Sequence, residues 1–431
     1  MDYIPATERD IRDMLSAVGV SSINDLIREF IPAFTGRLNL PTEKSEFGLM
    51  HHMKSLAQTN KVLRCFAGAG AYNHYIPSAV SHLLARGDFY TGYTPYQAEL
   101  SQGTLQAIYE FQSFMCLLTG MDVANASLYE GASALAEAAL LASSYTKRDH
   151  IFVKEGLHPH YLEVLQTYCE GAELTLTNRI DTNTACVIAQ NPDFHGNVES
   201  LHYLSEKAHQ AGALFATCIV EPTSLAILEP PGKYGADIVA GEGQSFGIPL
   251  SFGGPYLGFI AVKDFLLKKL PGRICGITTD SRGNRGFVLT FQAREQHIRR
   301  ERATSNITTN QALMALAATI YLALMGRSGL TRVAKLSYAR AHLLSKKLQK
   351  IGLRNLNDKP FYNEFVVKVP GSTEALLSRL FKKGILGGVN LGQDNLLICC
   401  TEMNSVQDID DFVSTAAATT AQYQETEEEE K

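Results

Sequence analysis

The chain has 431 residues, with 39 lysines and arginines against 44 aspartates and glutamates, and a formal net charge of -5 at pH 7. This length favours two domains over one simple core, and the lack of a basic stripe argues against nucleic-acid binding. Hydrophobic residues make up 45% of the chain, as in an ordinary soluble protein, and no segment is expected to reach the roughly 20 apolar residues of a membrane span.

The first residues and the cysteines both indicate the cytoplasm. The opening run MDYIPATERDIRDML carries charges where a secretory signal needs an apolar core. The eight cysteines contain no CxxC pair, so neither a zinc site nor a redox pair is predicted. His158 and His160 form an HxH pattern without a third ligand nearby in the sequence, and no metal site is expected.

Residues 1–60 are predicted to form a helical arm. Thr7 and Asp10 resemble a capping pattern ahead of a helix, and residues 22–30 give a second apolar-periodic run. Because the arm is too thin to bury a core unaided, it is expected to lie against a partner subunit or the flank of the large domain.

Residues 61–330 are predicted to form a large α/β domain. Two helices come first, at 104–120 and 134–146. Short β-rich runs then alternate with helices, at 151–155, 174–177, 185–190, 213–221, 237–241 and 258–262. Such alternation favours a mostly parallel sheet covered by helices on both faces.

Residues 331–420 are predicted to form a small α+β domain, which follows a long helix at about 310–325. Its elements are a helix at 332–350, a strand at 363–369, a further helix and a strand at 395–400. Residues 421–431 include a run of like charges and are predicted to be a disordered acidic tail.

Five long motifs occur in order along the large domain. They are GAGAYNHYIP (68–77), YTGYTPYQAELSQG (90–103), SLYEGASALAEA (127–138), GQSFGIPLSFGGPYLGF (243–259) and REQHIRRERATSNITTNQ (294–311). Together they resemble the glycine cleavage P-protein family, specifically the N-terminal half that many bacteria make as a separate subunit 1. The resemblance covers nearly the whole chain.

The resemblance implies an aspartate-aminotransferase-like fold, pyridoxal phosphate (PLP) fold type I. It also implies a homologous partner, subunit 2, in a heterodimer or a dimer of heterodimers. The pair would decarboxylate glycine on PLP and pass the aminomethyl group to the lipoyl arm of H-protein. The activity would be that of an oxidoreductase in glycine catabolism.

The residues can be compared with what a PLP enzyme of this fold requires. Such an enzyme needs a Schiff-base lysine, which should follow the run at 237–241. Gln244 lies there instead, and an amide has no free amine to act as a nucleophile. Lys207 is on an expected surface helix and Lys233 precedes the strand, so the lysine is predicted to be absent and no covalent cofactor is expected on this chain.

The other two requirements are also doubtful. An acidic residue should hold the pyridine nitrogen, but Cys218 lies near that point, and Glu221 is either a shifted substitute or an exposed carboxylate. The phosphate should meet a helix that begins near Glu130, Gly131 and Ser133. Glu130 already complements the helix dipole and would repel phosphate, so this phosphate helix is predicted to be vestigial.

Candidates for completing the partner's site lie in two loops and one further motif. The first loop holds Tyr93, Tyr96, Gln97 and Glu99, and the second holds Asn73, His74 and Tyr75; the third candidate is Arg294. The alternatives are core or interface packing for the tyrosines and a structural role for the histidine. For the Arg294 segment the alternative is an exposed helix with i,i+4 ion pairs.

The sequence therefore predicts subunit 1 of a glycine decarboxylase that is active only with a PLP-bearing subunit 2. Two alternatives stay open. One is a non-catalytic scaffold that stabilises subunit 2 or docks H-protein. The other is a self-sufficient PLP decarboxylase that uses an unexpected lysine.

Overall fold

The computed structural model describes residues 6–28, 39–90, 92–303 and 305–429. The chain divides into two compact units, residues 1–61 and 62–431. In chain order, helices α1–α13 span Glu8–Val18, Ile23–Ile27, Glu46–Gln58, Ser78–Leu84, Gly87–Tyr90, Gln102–Thr119, Gly131–Thr146, Pro159–Gly171, His202–Gln210, Gln296–Arg299, Ala312–Lys350, Thr373–Lys382 and Val406–Glu429. Strands β1–β15 span Arg64–Cys65, Val123–Ala124, His150–Val153, Thr175–Thr177, Thr184–Gln190, Leu214–Ile219, Ile238–Glu242, Gly258–Val262, Ile274–Thr279, Arg285–Thr290, Arg354–Asn355, Glu364–Lys368, Ile385–Leu386, Val389–Gly392 and Asn395–Cys399.

The described residues of the first unit contain helices α1 to α3. The backbone N–H of Asp10 donates to the hydroxyl of Thr7, and the carboxylate of Asp10 accepts from the Thr7 backbone N–H, which completes a capping box. None of the three helices has a buried residue. Where the arm docks stays a prediction, and residues 29–30 of its second predicted run lie outside the described residues.

The second unit is built on a seven-stranded sheet in the order β2-β8-β7-β6-β5-β3-β4 among the described residues. The pairs from β7 to β4 are all parallel, whereas β8 is antiparallel to both β7 and β2. Every residue of β5, β6, β7 and β8 is buried, because helices cover both faces. The predicted, mostly parallel sheet is therefore confirmed.

A four-stranded antiparallel sheet, β11-β12-β15-β14, follows in the chain. With α12, α13 and the second half of α11 it encloses its own apolar cluster, which includes Phe365, Phe412 and Leu344. Phe66, next to β1, packs on Phe412 with ring centroids 4.9 Å apart. The segment around β1 thus contributes Phe66 to the apolar core that packs on the C-terminal sheet.

Helix α11 joins two helices that the sequence predicts separately. The join is at Gly326, where φ is 55° and ψ is -173°, a conformation that glycine adopts without steric cost. By length and composition alone this helix could cross a membrane. The expectation that no segment would be apolar over the length of a membrane span was therefore wrong. Its buried side chains belong to two apolar clusters of the second unit, and a core helix passes the same test.

The last helix differs from the predicted disordered tail. Helix α13 continues to Glu429, whereas disorder was predicted from residue 421. Alanine, glutamine and glutamate form helices readily. The backbone of α13 therefore stays helical beyond Thr419, its last buried residue among the described side chains.

Two glutamine side chains fasten the β9–β10 hairpin to α6. The Gln102 amide bonds to both the backbone N–H and the C=O of Phe287 at 2.8 Å. The Gln112 amide does the same with Cys275, at 2.9 and 3.0 Å. A carboxamide has both an acceptor oxygen and N–H donors. Each glutamine therefore pairs with the backbone N–H and C=O of one residue, as a neighbouring strand would.

Candidate functional site

Polar side chains gather where the parallel strands β6 and β7 end. Glu221 follows β6, Glu242 is the last residue of β7, and Gln244 comes two positions later. All three are at most 3% exposed. The carboxyl edge of such a sheet is where α/β proteins bind their ligands, so these residues define the candidate site.

Gln244 is held entirely by the chain itself. Its Oε1 accepts from the backbone N–H of Tyr72 at 2.9 Å, and its Nε2 donates to the carbonyls of Tyr72 at 3.0 Å and Ile248 at 2.8 Å. The amide thus fills the position predicted for the lysine, and it ties the 68–77 segment to the turn after β7.

The N-terminus of α7 is occupied by two carboxylates. Glu130 is the N-cap, and its side chain accepts from the backbone N–H groups of Ala132 at 2.6 Å and Ser133 at 3.0 Å. The remaining N–H, that of Gly131, donates to Glu242 at 2.9 Å. The amide groups that would receive the phosphate in a PLP enzyme of this fold are therefore already paired with carboxyl groups of this chain.

Glu242 has two further backbone partners, the N–H groups of Gln244 at 3.0 Å and Leu257 at 2.8 Å. Burial raises the pKa of Glu242 to about 7, although these hydrogen bonds favour the ionised form. Burial thus opposes the ionised form that the three backbone N–H groups favour.

A buried imidazole lies between two carboxylates beside the site. His74 Nδ1 is 2.7 Å from Glu402 and its Nε2 is 3.4 Å from Glu221. Burial alone would lower the pKa of His74, but Glu221 and Glu402 outweigh it and raise the pKa to about 10. His74 is therefore cationic at neutral pH and links three segments of the chain.

Glu221 is not the exposed carboxylate that the sequence left as one alternative. Its side chain accepts from the N–H of Thr223 at 3.0 Å and from the hydroxyl of Ser245 at 2.8 Å, besides facing His74. A negative group at the strand end is thus neutralised locally by a cation and hydroxyl donors, which lets it stay buried.

Glu364 is a further buried acid that the sequence did not single out. It accepts from the N–H of Ala69 at 2.6 Å and from the hydroxyl of Tyr72 at 2.9 Å. Burial raises the pKa of Glu364 to about 7. Since it lies on β12, almost 300 residues along the chain from Ala69, only the tertiary fold reveals this contact.

The rest of the 68–77 segment is bound mainly through its backbone. The carbonyl of Asn73 accepts from Thr401 at 2.6 Å, and the N–H of Tyr75 donates to Glu402 at 2.8 Å. The side chain of Tyr75 is exposed. His158 Nε2 donates to the carbonyl of Ala69 at 2.8 Å.

The second candidate loop lies at the surface. Tyr93 and Tyr96 are 84% and 56% exposed, and Gln97 and Glu99 are exposed too. Thr91, in the same motif, is outside the described residues. These side chains contrast with Gln244 and His74, which are enclosed, so the two candidate loops differ in what they can offer a partner.

The Arg294 segment is not the continuous helix that was one reading of the sequence. Only Gln296–Arg299 is α-helical, and short 3₁₀ turns flank it. The guanidinium of Arg294 donates to the carbonyls of Leu270 and, at 2.6 Å, Gly272. A role of Arg294 at the interface with a partner stays a prediction.

His158 is the N-cap of helix α8 and bonds to His160 in that role. His158 Nδ1 accepts from the backbone N–H of His160 at 3.1 Å, at the start of α8. Among the described residues, no group of three histidine, cysteine, aspartate or glutamate side chains is arranged to hold a metal ion.

Comparisons with known proteins agree on one family. The sequence profile of the glycine cleavage system P-protein matches residues 1–416. A probable glycine dehydrogenase (decarboxylating) subunit 1 from Desulforamulus reducens is 48% identical, over 95% of this chain and 98% of that protein. A second protein of that name, from Moorella thermoacetica, is 49% identical over 96% and 98%.

Solved structures agree with the sequence matches. A glycine decarboxylase (P-protein) in inhibitor-bound form aligns with a TM-score of 0.88 and 41% identity, over 97% of this chain and 100% of that one. A Lactobacillus brevis glutamate decarboxylase, 12% identical, aligns with a TM-score of 0.67 over 89% and 94%, which shows a shared fold only. The predicted fold class, PLP fold type I, is confirmed.

Proposed function

The chain belongs to the glycine cleavage system P-protein family, as its motifs predicted, and we propose that it is subunit 1 of a two-subunit glycine decarboxylase. Its relatives carry the name of that subunit, which implies a separate partner chain. In this proposal subunit 2 carries PLP, and together they decarboxylate glycine and pass the aminomethyl group to lipoylated H-protein. We place the complex in the cytoplasm.

The observation that carries the proposal is the occupied α7 N-terminus beside Gln244. PLP supplies an electron sink when bound, but the residues of this chain do not fit it. A phosphate would have to displace Glu130 and Glu242, and Gln244 cannot replace a lysine. We therefore assign no covalent cofactor to this chain.

The remaining lysines of this region give no substitute. Lys207 and Lys233 are exposed on the surface, and Lys263 is directed to the carbonyl of Gly120 at 3.3 Å. Within the described part of the chain none of them forms a hydrogen bond or ion pair with Glu221, Glu242 or Gln244, which disfavours a self-sufficient PLP enzyme.

The complex can be tested directly by co-expression with the lysine-bearing subunit. We expect the two chains to co-purify and to catalyse glycine–bicarbonate exchange that neither shows alone. Exchange by this chain alone would support the self-sufficient alternative. Full exchange by subunit 2 alone would leave this chain a scaffold.

Incubating the isolated chain with stoichiometric PLP, then with borohydride, should leave its lysines unmodified. The reason is that Lys207 and Lys233 are ordinary exposed amines and the candidate site is closed. Mass spectrometry of the digested protein is the measurement. A stoichiometric phosphopyridoxyl adduct on Lys207, Lys233 or Lys263 would contradict the cofactor assignment.

We further propose that Tyr93 or Tyr96 reaches the cofactor pocket of subunit 2, since both are exposed on one short loop. A hydroxyl bonded to a charged group contributes about 1.5–3 kcal/mol. Tyr93→Phe and Tyr96→Phe remove only that group, so at least one should slow exchange by roughly 10- to 150-fold.

Size exclusion would confirm assembly of both tyrosine variants. Tyr203→Phe, an exposed tyrosine on α9, is the matched control and should exchange normally. If both loop variants assemble and exchange within about twofold of the parent, an effect below 0.5 kcal/mol, the loop acts in packing only.

A further inference from the structure

Two segments of the second unit pair with each other although they belong to different sheets. Residues 193–199 lie between β5 and α9, and residues 357–362 lead into β12; together we call them the latch. Their backbones are paired at three points: the N–H of Val198 donates to the carbonyl of Pro360 at 2.7 Å, the N–H of Tyr362 donates to that of Gly196 at 3.2 Å, and Asn197 and Phe361 form an antiparallel bridge. A short β-ladder therefore connects the seven-stranded sheet to the C-terminal sheet.

Side chains of the latch reinforce this ladder. The Nδ2 of Asn357 donates to the carbonyl of His195 at 2.8 Å and to Oδ1 of Asn197 at 2.7 Å. The Nζ of Lys359 donates to Glu199 at 3.0 Å. Each of these bonds joins one half of the latch to the other, so the two halves can part only if all of them break together with the ladder.

The two halves are in direct backbone contact at Gly196. This residue is buried, and its φ of 86° is a left-handed conformation that favours glycine. A methyl group on Gly196 would overlap the backbone carbonyl of Glu364, the first residue of β12. Because a packed backbone has little freedom to move aside, this contact leaves no room for one half of the latch to slide past the other.

A second connection runs through the 68–77 segment. Gln244 binds this segment on the side of the seven-stranded sheet, and Glu402 binds it on the side of the C-terminal sheet. The hydroxyls of Tyr362 and Thr223 add a direct contact at 3.0 Å, and both residues are buried. The two sheets are thus fastened at the latch and again beside the candidate site.

Polar contacts between two parts of a chain usually permit relative movement, and many enzymes close one domain over a ligand by a hinge. Two features of this chain oppose such a movement. Opening would leave backbone groups of the ladder without partners, which costs free energy. A ligand can drive a movement only by binding one of two states better, and the N-terminal amides of α7 are already bound by Glu130 and Glu242.

We propose that the latch makes the seven-stranded sheet and the C-terminal sheet one rigid body, which neither opens nor closes when a ligand binds. This lock is a property of the chain alone. Its consequence for the complex rests on the proposed function: glycine is admitted by a movement of the partner subunit, while this chain keeps its shape.

Hydrogen–deuterium exchange of the full chain, with mass spectrometry of peptides from both halves of the latch, tests the lock. The amides of Val198 and Tyr362 should exchange within about tenfold of the buried amides of β5, since both open only with the whole fold. Gly196→Ala forces the latch apart. Gly283→Ala is the matched control, because Gly283 has a similar φ of 83° but a methyl group there meets no described atom within 4 Å.

The quantity compared is the exchange rate of the latch relative to that of β5 in the same variant, which removes any change in global stability. We expect Gly196→Ala to raise this ratio by roughly 5- to 150-fold, as for an extra methyl group in a packed interior. Gly283→Ala should stay within about twofold of the parent. If Gly196→Ala does not fold, Asn357→Ala removes the two amide bonds across the latch and should raise the ratio by roughly 2- to 10-fold.

The lock is refuted if the latch of the parent exchanges more than about tenfold faster than β5. It is also refuted if the folded latch variant gives the same ratio as Gly283→Ala. In the assembled complex, saturating glycine should leave exchange of the latch unchanged, and a change there would overturn the consequence drawn for the partner. A complex without glycine–bicarbonate exchange would instead refute the proposed function and leave the result on the isolated chain standing.

Discussion

His74→Leu is expected to lower the free energy of unfolding by about 3–5 kcal/mol, the usual loss when one partner of a buried ion pair is removed. The substitution would leave Glu221 and Glu402 facing each other without a cation, and both side chains are less than 10% exposed. Urea unfolding followed by circular dichroism measures the change. The matched control is His342→Leu, because the one hydrogen-bond partner of the His342 ring among the described residues is a carbonyl, that of Phe361 at 3.0 Å.

The same variant should change how stability depends on pH. The folded pKa of His74 is about 10 against an ordinary 6.5, so its contribution is complete below pH 6.5 and is lost as pH rises to about 10. The pKa of Glu402 is lowered from 4.5, so its contribution is lost as pH falls below that range. The difference between the parent and His74→Leu should therefore be largest at about pH 5–6.5.

The neighbouring phenols do not disturb this window. Burial raises the pKa of Tyr72, Tyr321 and Tyr362, and the carboxylates add to that shift, so the three stay neutral up to pH 10. If His74→Leu unfolds no more easily than His342→Leu at pH 6, or if its deficit does not shrink towards pH 10, the ion cluster does not stabilise the fold.

Gln244→Leu is expected to cost about 3 kcal/mol or more, because it leaves three buried backbone groups unpaired at about 1–3 kcal/mol each. These are the N–H and C=O of Tyr72 and the C=O of Ile248. Thermal and urea unfolding of the isolated chain give the measurement. Leucine is close in size to glutamine, so the change tests hydrogen bonds rather than volume.

Gln112→Leu is the matched control for that substitution. It removes the same kind of amide from α6 but leaves two backbone groups unpaired, both on Cys275. The expected order of stability is parent, then Gln112→Leu, then Gln244→Leu. If Gln244→Leu is as stable as the parent, the hydrogen bonds of the Gln244 amide do not hold the 68–77 segment against the turn after β7.

The sheet was predictable because its central strands, β5 to β8, are buried on both faces. Each of the six β-rich runs of the large domain overlaps an observed strand, since continuous apolar runs of four to eight residues are typical of such strands. The antiparallel direction of β8 was not predictable, because strand direction depends on how the chain returns from Gln244 and not on the residues of the strand.

The candidate site was predictable in position but not in its contacts. The requirements of a PLP enzyme of this fold singled out Glu130 and Gln244, and the 68–77 motif singled out His74. Their partners lie far along the chain, 172 residues away for Gln244 and Tyr72 and 328 residues away for His74 and Glu402. No local sequence pattern carries that information.

The packing around Gln244 also bears on how this chain can evolve. A single change of Gln244 to lysine would restore an amine but lose the amide acceptor that pairs with Tyr72, while Glu130 and Glu242 still held the N-terminus of α7. Each replacement needed for a cofactor site removes a stabilising contact before any benefit follows. On the proposed assignment, selection on single substitutions therefore opposes the gain of a cofactor site on this chain.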